Sequence, residues 1–433
     1  MSVTSALNAG VAGLATNSVK LATISDNIAN SSTNGYKRAD TEFVSLVSSG
    51  SQSAFAAGGV RAETFRNVTA EGALVSTGNA TDLTISGRGF LPVTTLDGVN
   101  TTGTPPLRLT TTGSFTADSN GYLRTEAGHF LLGWPADVDG SVTVPSRDSA
   151  SGLEAVQLPQ TIFASDATDA ITLGLNLPAT ATEAGAAGTA LTFPVEYIDN
   201  LGLSQTLNFE FTPTVPGTGR SDTWTINVYD SASATPAVPL ETFTAQFDAT
   251  SASGGALDET TVAGTTNYDT TTGILTVTTA SGPIEVSIGN STNPVLTQLA
   301  GEFAPINVDA NGVPIGSVDR FEVSEQGYLE AVFDTGFRLT IYQIPVADVP
   351  NANGLRAEDG AAFSLSQESG GVFLWDSGTG PVGSTLGFTL EESTTDITAE
   401  LTDLIQTQRA YSSNAKIIQT IDEVLQETTN LIR

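Results

Sequence analysis

The sequence predicts a mainly β protein with long N- and C-terminal α-helices, in nested layers: two β domains plus a terminal helical, coiled-coil-like domain. Two observations predict this fold class. Apolar residues recur at heptad spacing near both ends of the chain, which places them in one row along a helix. Between the ends, short segments alternate apolar and polar residues and are separated by turn-forming residues, as half-buried β-strands are.

Residues 3–28 are predicted to form the first helix, about 40 Å long at 1.5 Å per residue. Small residues beside its apolar row would allow another backbone to approach closely. Asn27, Asn30 and Gly35 are expected to end the helix, because Asn and Gly tolerate left-handed backbone. The predicted apolar row consists of Leu7, Val11, Leu14, Leu21, Ile24 and Ile28.

The last helix is predicted over residues 396–432, with Thr395 or Asp396 as its N-cap. Terminal residues normally fray unless something holds them, so two long terminal helices are expected to be assembly elements. The alternative is an ordinary helix pair within one chain. The predicted C-terminal row consists of Ile397, Leu401, Leu404, Tyr411, Ile418, Ile421, Leu425 and Ile432.

Similar short strands flank a middle segment of different composition. Residues 146–300 contain sixteen Asp and Glu but two Arg, and this acidic segment is predicted to be an inserted outer β domain. The flanking residues 71–145 and 301–360 are predicted to form one inner β domain. The remaining predicted parts are a terminal helical core over 1–30 and 393–433 and connecting segments over 31–70 and 361–392.

Composition excludes several classes of function. The 433 residues carry a net charge of −31 with few cations, so nucleic acid and anionic membranes are not expected partners. The chain has no Cys and one His, His129, which removes thiol catalysis and the usual nucleophile–base and zinc sites. We therefore expect no enzyme activity, no cofactor and no metal. The N-terminal segment lacks the apolar core of a secretory signal.

Four motifs occur in order outside the middle segment. They are Asn-Ile-Ala-Asn leading into Thr-Asn-Gly-Tyr-Lys over residues 27–37, then residues 71–90, 112–134 and 401–420. Together they resemble the axial rod and hook proteins of the bacterial flagellum. Small departures from the family pattern are Ala80-Thr81, where Pro is common, and Thr112, where a charged residue is common. The residues that carry the resemblance include Asn27, Asn30, Gly35, Tyr36, Lys37, Gly78, Asp82, Gly87, Gly89, Phe90, Gln408, Arg409 and Asn414.

The resemblance implies a hook subunit, because hook proteins carry an extra outer domain between the two flanks. Such a subunit would polymerise into a hollow curved tube that joins rod to filament and transmits torque as a flexible universal joint. Its terminal helices would form the inner wall, with apolar rows buried only between neighbouring subunits.

The resemblance also implies partners and a location. The partners would be further copies of the chain, the distal rod, hook cap and hook–filament junction proteins, and the flagellar type III export apparatus. The location would be the basal body and hook of the flagellum, outside the cell, reached without a cleaved signal peptide.

Two alternatives accompany this interpretation. A distal rod protein with an unusual insertion would have the same flanks but would form straight tubes. An adhesin or glycan-binding outer domain on an axial scaffold would need an aromatic platform for sugars, and Trp224 is the candidate in the middle segment.

Overall fold

The computed structural model describes residues 3–46, 59–100, 103–137, 140–144, 146–159, 163–250 and 254–431, and Ile432 of the predicted C-terminal row lies outside them. The chain forms two compact units. We call the first the helix-bearing unit; it consists of Met1–Gln160, Arg320–Val332 and Arg338–Arg433. We call the second the inserted unit; it consists of Thr161–Asp319 and Phe333–Phe337.

Two long helices lie at the ends of the chain, and the predicted fold class is confirmed. The N-terminal helix spans Val3–Ala29 and the C-terminal helix spans Ile397–Leu431. Asp396 is the N-cap of the C-terminal helix, since its Oδ1 accepts the Thr398 amide at 2.8 Å. None of the described helices is long and apolar enough to cross a membrane. The shorter helical turns are Leu96–Val99, Ala179–Thr182 and Ala352–Gly354.

An antiparallel pair of strands follows the N-terminal helix, in the segment that the sequence predicts only as a connection. Ala39–Ser45 pairs with Val60–Arg66 along its whole length. The pair packs along the N-terminal helix, where the Thr16 hydroxyl lies 3.4 Å from the Val60 carbonyl oxygen. The N-terminal helix therefore has β structure against part of its surface.

The β body of the helix-bearing unit is built around Phe130–Pro135, which is hydrogen-bonded on both edges. Its successive residues Leu131 and Leu132 are fully buried in separate clusters, because neighbouring strand residues point to opposite faces. Val313–Val323 begins in the inserted unit and ends in the helix-bearing unit. The other strands of the helix-bearing unit are Leu74–Ser76, Asp82–Ser86, Leu91–Thr94, Arg108–Thr110, Thr112–Ser114, Thr116–Ala117, Leu123–Arg124, Glu154–Ala155, Tyr328–Phe333, Arg338–Gln343, Val346–Asp348, Arg356–Glu358, Ala362–Ser364, Phe373–Trp375, Ser384–Gly387 and Thr389–Glu391.

The inserted unit consists of two sheets that share one core. The first is an antiparallel sheet of consecutive strands, and the second is mixed, with Ala170–Pro178 at its centre. Side chains from both sheets, including Phe209, Trp224 and Val286, form a single buried cluster, as expected for a sandwich. The strands of the two sheets are Ala170–Pro178, Leu191–Ile198, Ser204–Pro213, Thr223–Asp230, Glu241–Phe247, Leu257–Ala263, Tyr268–Asp269, Ile274–Thr279, Gly282–Ser287, Thr297–Leu299 and Ala304–Ala310. Phe163–Asp166 lies outside these sheets and pairs with Val313–Val323.

The inserted unit begins and ends later than residues 146–300, the bounds predicted from composition. Glu154–Ala155 pairs with Leu132 and Gly133 of the helix-bearing unit. Ala304–Ala310 pairs with Ala170–Pro178 inside the inserted unit. A shift in composition does not reveal such pairing, because strands of either unit can carry the same residues.

We predict that a fragment of residues 161–319 folds alone and melts cooperatively, whereas a fragment of residues 146–300 melts at a lower temperature. The fragment that ends at residue 300 lacks Ala304–Ala310, the antiparallel neighbour of Ala170–Pro178. Its absence exposes the backbone of a central strand. Thermal denaturation followed by circular dichroism compares the two fragments. Equal melting temperatures would show that this strand contributes little to the unit.

Candidate functional site

The two terminal helices pack against each other in antiparallel fashion. A Cβ atom on Gly10 would lie 3.2 Å from Ile418 Cγ1, and one on Gly13 would lie 2.8 Å from Asn414 Nδ2. At the other end of the N-terminal helix, Asn27 hydrogen-bonds to Glu400 at 3.1 Å. The two glycines allow this close approach, and Asn414 of the C-terminal motif lies in the contact.

The predicted apolar rows divide between this contact and the surface. On the N-terminal helix, Ile24 is buried and Val11 is exposed, while Leu7, Leu14, Leu21 and Ile28 are half-buried. On the C-terminal helix the half-buried row members are Leu404, Ile418 and Ile421, and the exposed ones are Ile397, Leu401, Tyr411 and Leu425. The expectation that the rows are buried only between subunits is therefore corrected for Ile418, which packs beside Gly10 of the N-terminal helix within the same chain.

A second apolar surface of the C-terminal helix faces outward near its start. Ile397, Leu401 and Ile405 recur every fourth residue, which places them close together on the helix surface, and we call them the outer stripe. Their side chains are 47–51% exposed. Ile405 was missed in the sequence because it falls outside the heptad row. Ile417 and Val424, seven residues apart, are also exposed.

The N-terminal motif forms a buried polar junction between the helix pair and the β body. Asn27 is buried, donates to Ala39 O and Glu400 Oε1, and accepts the Ala39 amide at 2.9 Å. Arg38 Nε donates to the same Glu400 oxygen. Asn27 therefore ties three segments together, which differs from its predicted role at the helix end. Asn30 and Gly35 lie in the predicted turn, and Gly35 has a φ of +71°.

Lys37 is the most deeply buried cation of this junction. Its Nζ donates to Glu391 Oε1 at 2.7 Å and to the Ala70 carbonyl at 2.6 Å. The Lys37 and Glu391 side chains are 2% and 4% exposed. The same Glu391 oxygen accepts the Gly72 amide at 2.6 Å. A buried charge needs such partners because it has lost its water.

Tyr36 lies beside Lys37 in the motif and is also buried. Its hydroxyl is 2.9 Å from Asp26 Oδ2 and 3.1 Å from Asn27 Oδ1. The guanidinium carbon of Arg66 lies 4.8 Å from the centre of the Tyr36 ring, a distance at which a cation is attracted to the ring face.

We predict that alkaline pH destabilises the helix-bearing unit through Tyr36. Burial and then the hydrogen bond to Asp26 raise the pKa of Tyr36 to about 12, whereas tyrosine in an unfolded chain ionises near pH ~10. The neutral hydroxyl thus contributes stability that is complete below pH ~10 and is lost as the pH rises through the folded-state value. As the pH rises over this range, the melting temperature of the wild type should fall more steeply than that of Tyr36→Phe. Equal falls in melting temperature would contradict the assignment.

The second motif supports turns of the β body. Asp82 is buried, and its Oδ1 accepts hydrogen bonds from Asn79 at 2.7 Å and Ser114 at 2.6 Å. Gly89 has a φ of +132°, and a Cβ there would lie 2.3 Å from Val346 Cγ1, so that only glycine fits. The other members are Gly78, with open space around it, Gly87, with a φ of +101°, and Phe90, which is buried.

Of the C-terminal motif, Gln408 and Arg409 are exposed on the C-terminal helix.

Glu391 and Glu400 are two carboxylates of the junction that the sequence did not identify as site residues. Each pairs with a residue more than 350 positions away in the chain. A carboxylate before or within the first turn of a helix usually has a local role, such as capping or interaction with the helix dipole. Their deep burial is visible only in the folded chain.

Trp224 does not provide a platform for a sugar. Its side chain is fully buried in the core of the inserted unit, and its Nε1 donates to Gln298 at 3.1 Å. The aromatic residue on which the glycan-binding alternative depends is therefore a core residue.

Both ends of the chain match family models for flagellar rod proteins. The model described as "Flagella basal body rod protein" matches residues 7–37. The model described as "Flagellar basal body rod FlgEFG protein C-terminal" matches residues 388–431. These matches cover the motifs that form the junction and the helix pair.

Full-length relatives extend the similarity across the inserted unit. The flagellar hook protein FlgE of Brucella suis biovar 1 is 33% identical, with 100% of both chains covered. The flagellar hook protein FlgE of Salmonella typhimurium is 26% identical over 97% of this chain and 98% of its own. A crystal structure of the Helicobacter pylori flagellar hook protein FlgE2 matches with a TM-score of 0.48 and 14% identity, over 72% of this chain and 98% of its own. With one-third identity over the whole length, the chain belongs to the flagellar hook protein family.

Proposed function

We propose that this chain is the structural subunit that polymerises into the hollow, curved tube of the bacterial flagellar hook. The tube joins the rod to the filament and transmits torque while it bends. The observation that carries this proposal is the outer stripe: Ile397, Leu401 and Ile405 present apolar surface on the helix pair that the family models match. Apolar surface gathered in this way marks an association site.

The helix pair supports assembly as a unit already formed within each subunit. Its glycine-lined contact holds the two helices together, so that neighbouring subunits need to bury only the surface left outside that contact. In the tube, helix pairs from successive copies would pack side by side as the inner wall. Helix-on-helix packing of apolar rows gives such a wall its stiffness.

Torque transmission requires that the wall and the β body of each subunit move together. The Lys37–Glu391 ion pair and the hydrogen bonds between Asn27 of the N-terminal helix and Ala39 of the adjoining strand join them through buried polar contacts. These contacts have directional geometry, so rotation of the helix pair against the β body would break them. We assign the junction the role of passing load from the wall to the outer layers.

The partners and the location follow from the same proposal. We propose that the subunit is exported through the flagellar type III apparatus, that it assembles outside the cell beneath a hook cap protein, and that the tube meets the distal rod at one end and the hook–filament junction proteins at the other. The polymer itself is the main partner, since the outer stripe lies on the element that the rod and hook families share.

Electron microscopy of the purified full-length chain tests the proposal. We expect curved tubes, and more of them as salt rises to moderate concentration, because subunits of net charge −31 repel one another and the Debye length falls from about 30 Å at 0.01 M to about 8 Å at 0.15 M salt. Straight tubes would favour a distal rod protein. A yield that falls steadily with salt would show that ion pairs between subunits outweigh the general repulsion.

A further inference from the structure

A cavity lies beside the buried polar junction, inside the helix-bearing unit. Its volume is about 290 Å³. An apolar cavity of about 150 Å³ in a protein core holds one benzene ring, so this cavity has room for a fused pair of rings. Protein interiors are otherwise close-packed, and a space of this size next to the Lys37–Glu391 ion pair therefore calls for an occupant.

The wall of the cavity combines apolar side chains with one unused polar group. Val68, Ile85 and Phe90 are buried apolar residues of the wall, and Ala352 completes it on another side. Thr111 also lines the cavity and is buried. Its Oγ1 has no hydrogen-bond partner among the residues that the structure describes. A buried hydroxyl without a partner is costly, and a bound molecule with a polar group would remove that cost.

Hydrogen bonds between distant segments hold the walls of the cavity in place. Asn353 Oδ1 accepts the Val68 amide at 2.9 Å, which fixes one wall. Arg88 donates to Asp348 Oδ1 at 2.8 Å and to the Val349 carbonyl at 2.9 Å, which fixes another. A cavity with walls held in this way is largely preformed, so a ligand pays little to order it.

The charges around the cavity favour a neutral molecule. Lys37, one of the two cations that line it, is already paired with Glu391. Arg88, the other cation, is already paired with Asp348. The remaining carboxylate of the wall, Glu71, is exposed, and water weakens its attraction for a cation. An ionised ligand would therefore lose its water without gaining a buried counter-charge.

We propose that this cavity is a binding site for a neutral ring compound of about ten non-hydrogen atoms, the size of an indole or a naphthol, whose hydrogen-bonding group pairs with Thr111 Oγ1. The site goes beyond the proposed function, because binding needs no polymer. The ligand would contact the segment around Val68 and the β body at Phe90 together. It would therefore stabilise the helix-bearing unit by binding the folded state.

Isothermal titration of the free full-length subunit with indole tests the polar contact. Thr111→Val keeps the shape of the side chain and removes the hydroxyl, so indole should bind about threefold or more weakly. N-methylindole, which has no N–H to donate, should bind the wild type and this variant equally. Because Thr111 Oγ1 has no partner in the described protein, Thr111→Val should melt no lower than the wild type, which separates lost binding from lost folding.

A second variant tests the location. Ala352→Leu fills the cavity and should abolish the binding of indole, whereas Ala357→Leu makes the same change at an exposed residue outside the cavity and should leave it unchanged. The wild type should also melt at a higher temperature with indole present. No binding of indole to the wild type, equal affinity in Thr111→Val, or loss of binding with Ala357→Leu would overturn the inference. Tube formation is measured separately, so none of these results would bear on the proposed function.

Discussion

Replacing Leu401 and Ile405 of the outer stripe with Asp should abolish tube formation while leaving the melting of the free subunit unchanged. Both side chains are about half exposed, so the subunit tolerates charge there. In the tube the same positions would be covered, and an unpaired carboxylate out of water is costly. Burial of each apolar side chain is worth roughly 1.5–3 kcal/mol, and every subunit would lose that contribution.

The matched control is Gln406→Asp, which adds one charge at the exposed residue next to Ile405 and should leave tubes intact. Sedimentation and electron microscopy measure assembly, and circular dichroism measures melting. Tubes of normal length from the double variant would contradict the assignment of the outer stripe as an interface.

Ile418→Asp is expected to act differently, within the subunit. A Cβ on Gly10 would lie 3.2 Å from Ile418 Cγ1, so the aspartate would disturb the packing of the two helices on each other. From the heptad pattern alone, this variant and the outer-stripe variant would be expected to behave alike. Only the outer-stripe variant should retain the helical content of the wild type before assembly.

Lys37→Met should destabilise the helix-bearing unit more than any surface change. It leaves the Glu391 carboxylate buried with the Gly72 amide as its remaining donor. Removing one partner of a buried ion pair costs about 3–5 kcal/mol, because the other charge stays behind without compensation. At 2–4 °C per kcal/mol, the melting temperature of this unit should fall by about 10 °C.

Two further variants show whether the buried charge is the cause. Lys37→Met combined with Glu391→Gln removes both charges, so it should melt above Lys37→Met alone. Arg61→Gln breaks the exposed Arg61–Glu63 pair and should lower the melting temperature by no more than about 2 °C. If Arg61→Gln lowered the melting temperature as much as Lys37→Met does, burial of the ion pair would not be what makes its loss destabilising.

Local patterns in the sequence predicted the elements that are locally determined. The heptad rows predicted both terminal helices, and strict alternation predicted strands such as Leu191–Ile198 and Ser204–Pro213. The sequence predicted Thr395 or Asp396 as the N-cap of the C-terminal helix, and Asp396 is the residue that caps it. In each case one period or one local hydrogen bond determines the outcome.

Contacts between residues far apart in the chain could not be predicted from local sequence patterns. Nothing in the local pattern pairs Lys37 with Glu391 or places Gly13 against Asn414. The split of each apolar row between a contact inside the subunit and the surface also depends on how the helices are rotated. A heptad pattern gives the row but does not say which molecule covers it.

The antiparallel helix pair sets the order in which the chain can mature. Gly10 meets Ile418, so that almost the whole polypeptide must be present before this pair forms. Closing so long a loop is slow compared with local folding, whereas the strands of the inserted unit lie within residues 161–319 and can pair earlier. A chain that emerges N-terminus first would therefore have its inserted unit already folded while its two terminal helices are still apart, and only a complete molecule would contain the helix pair.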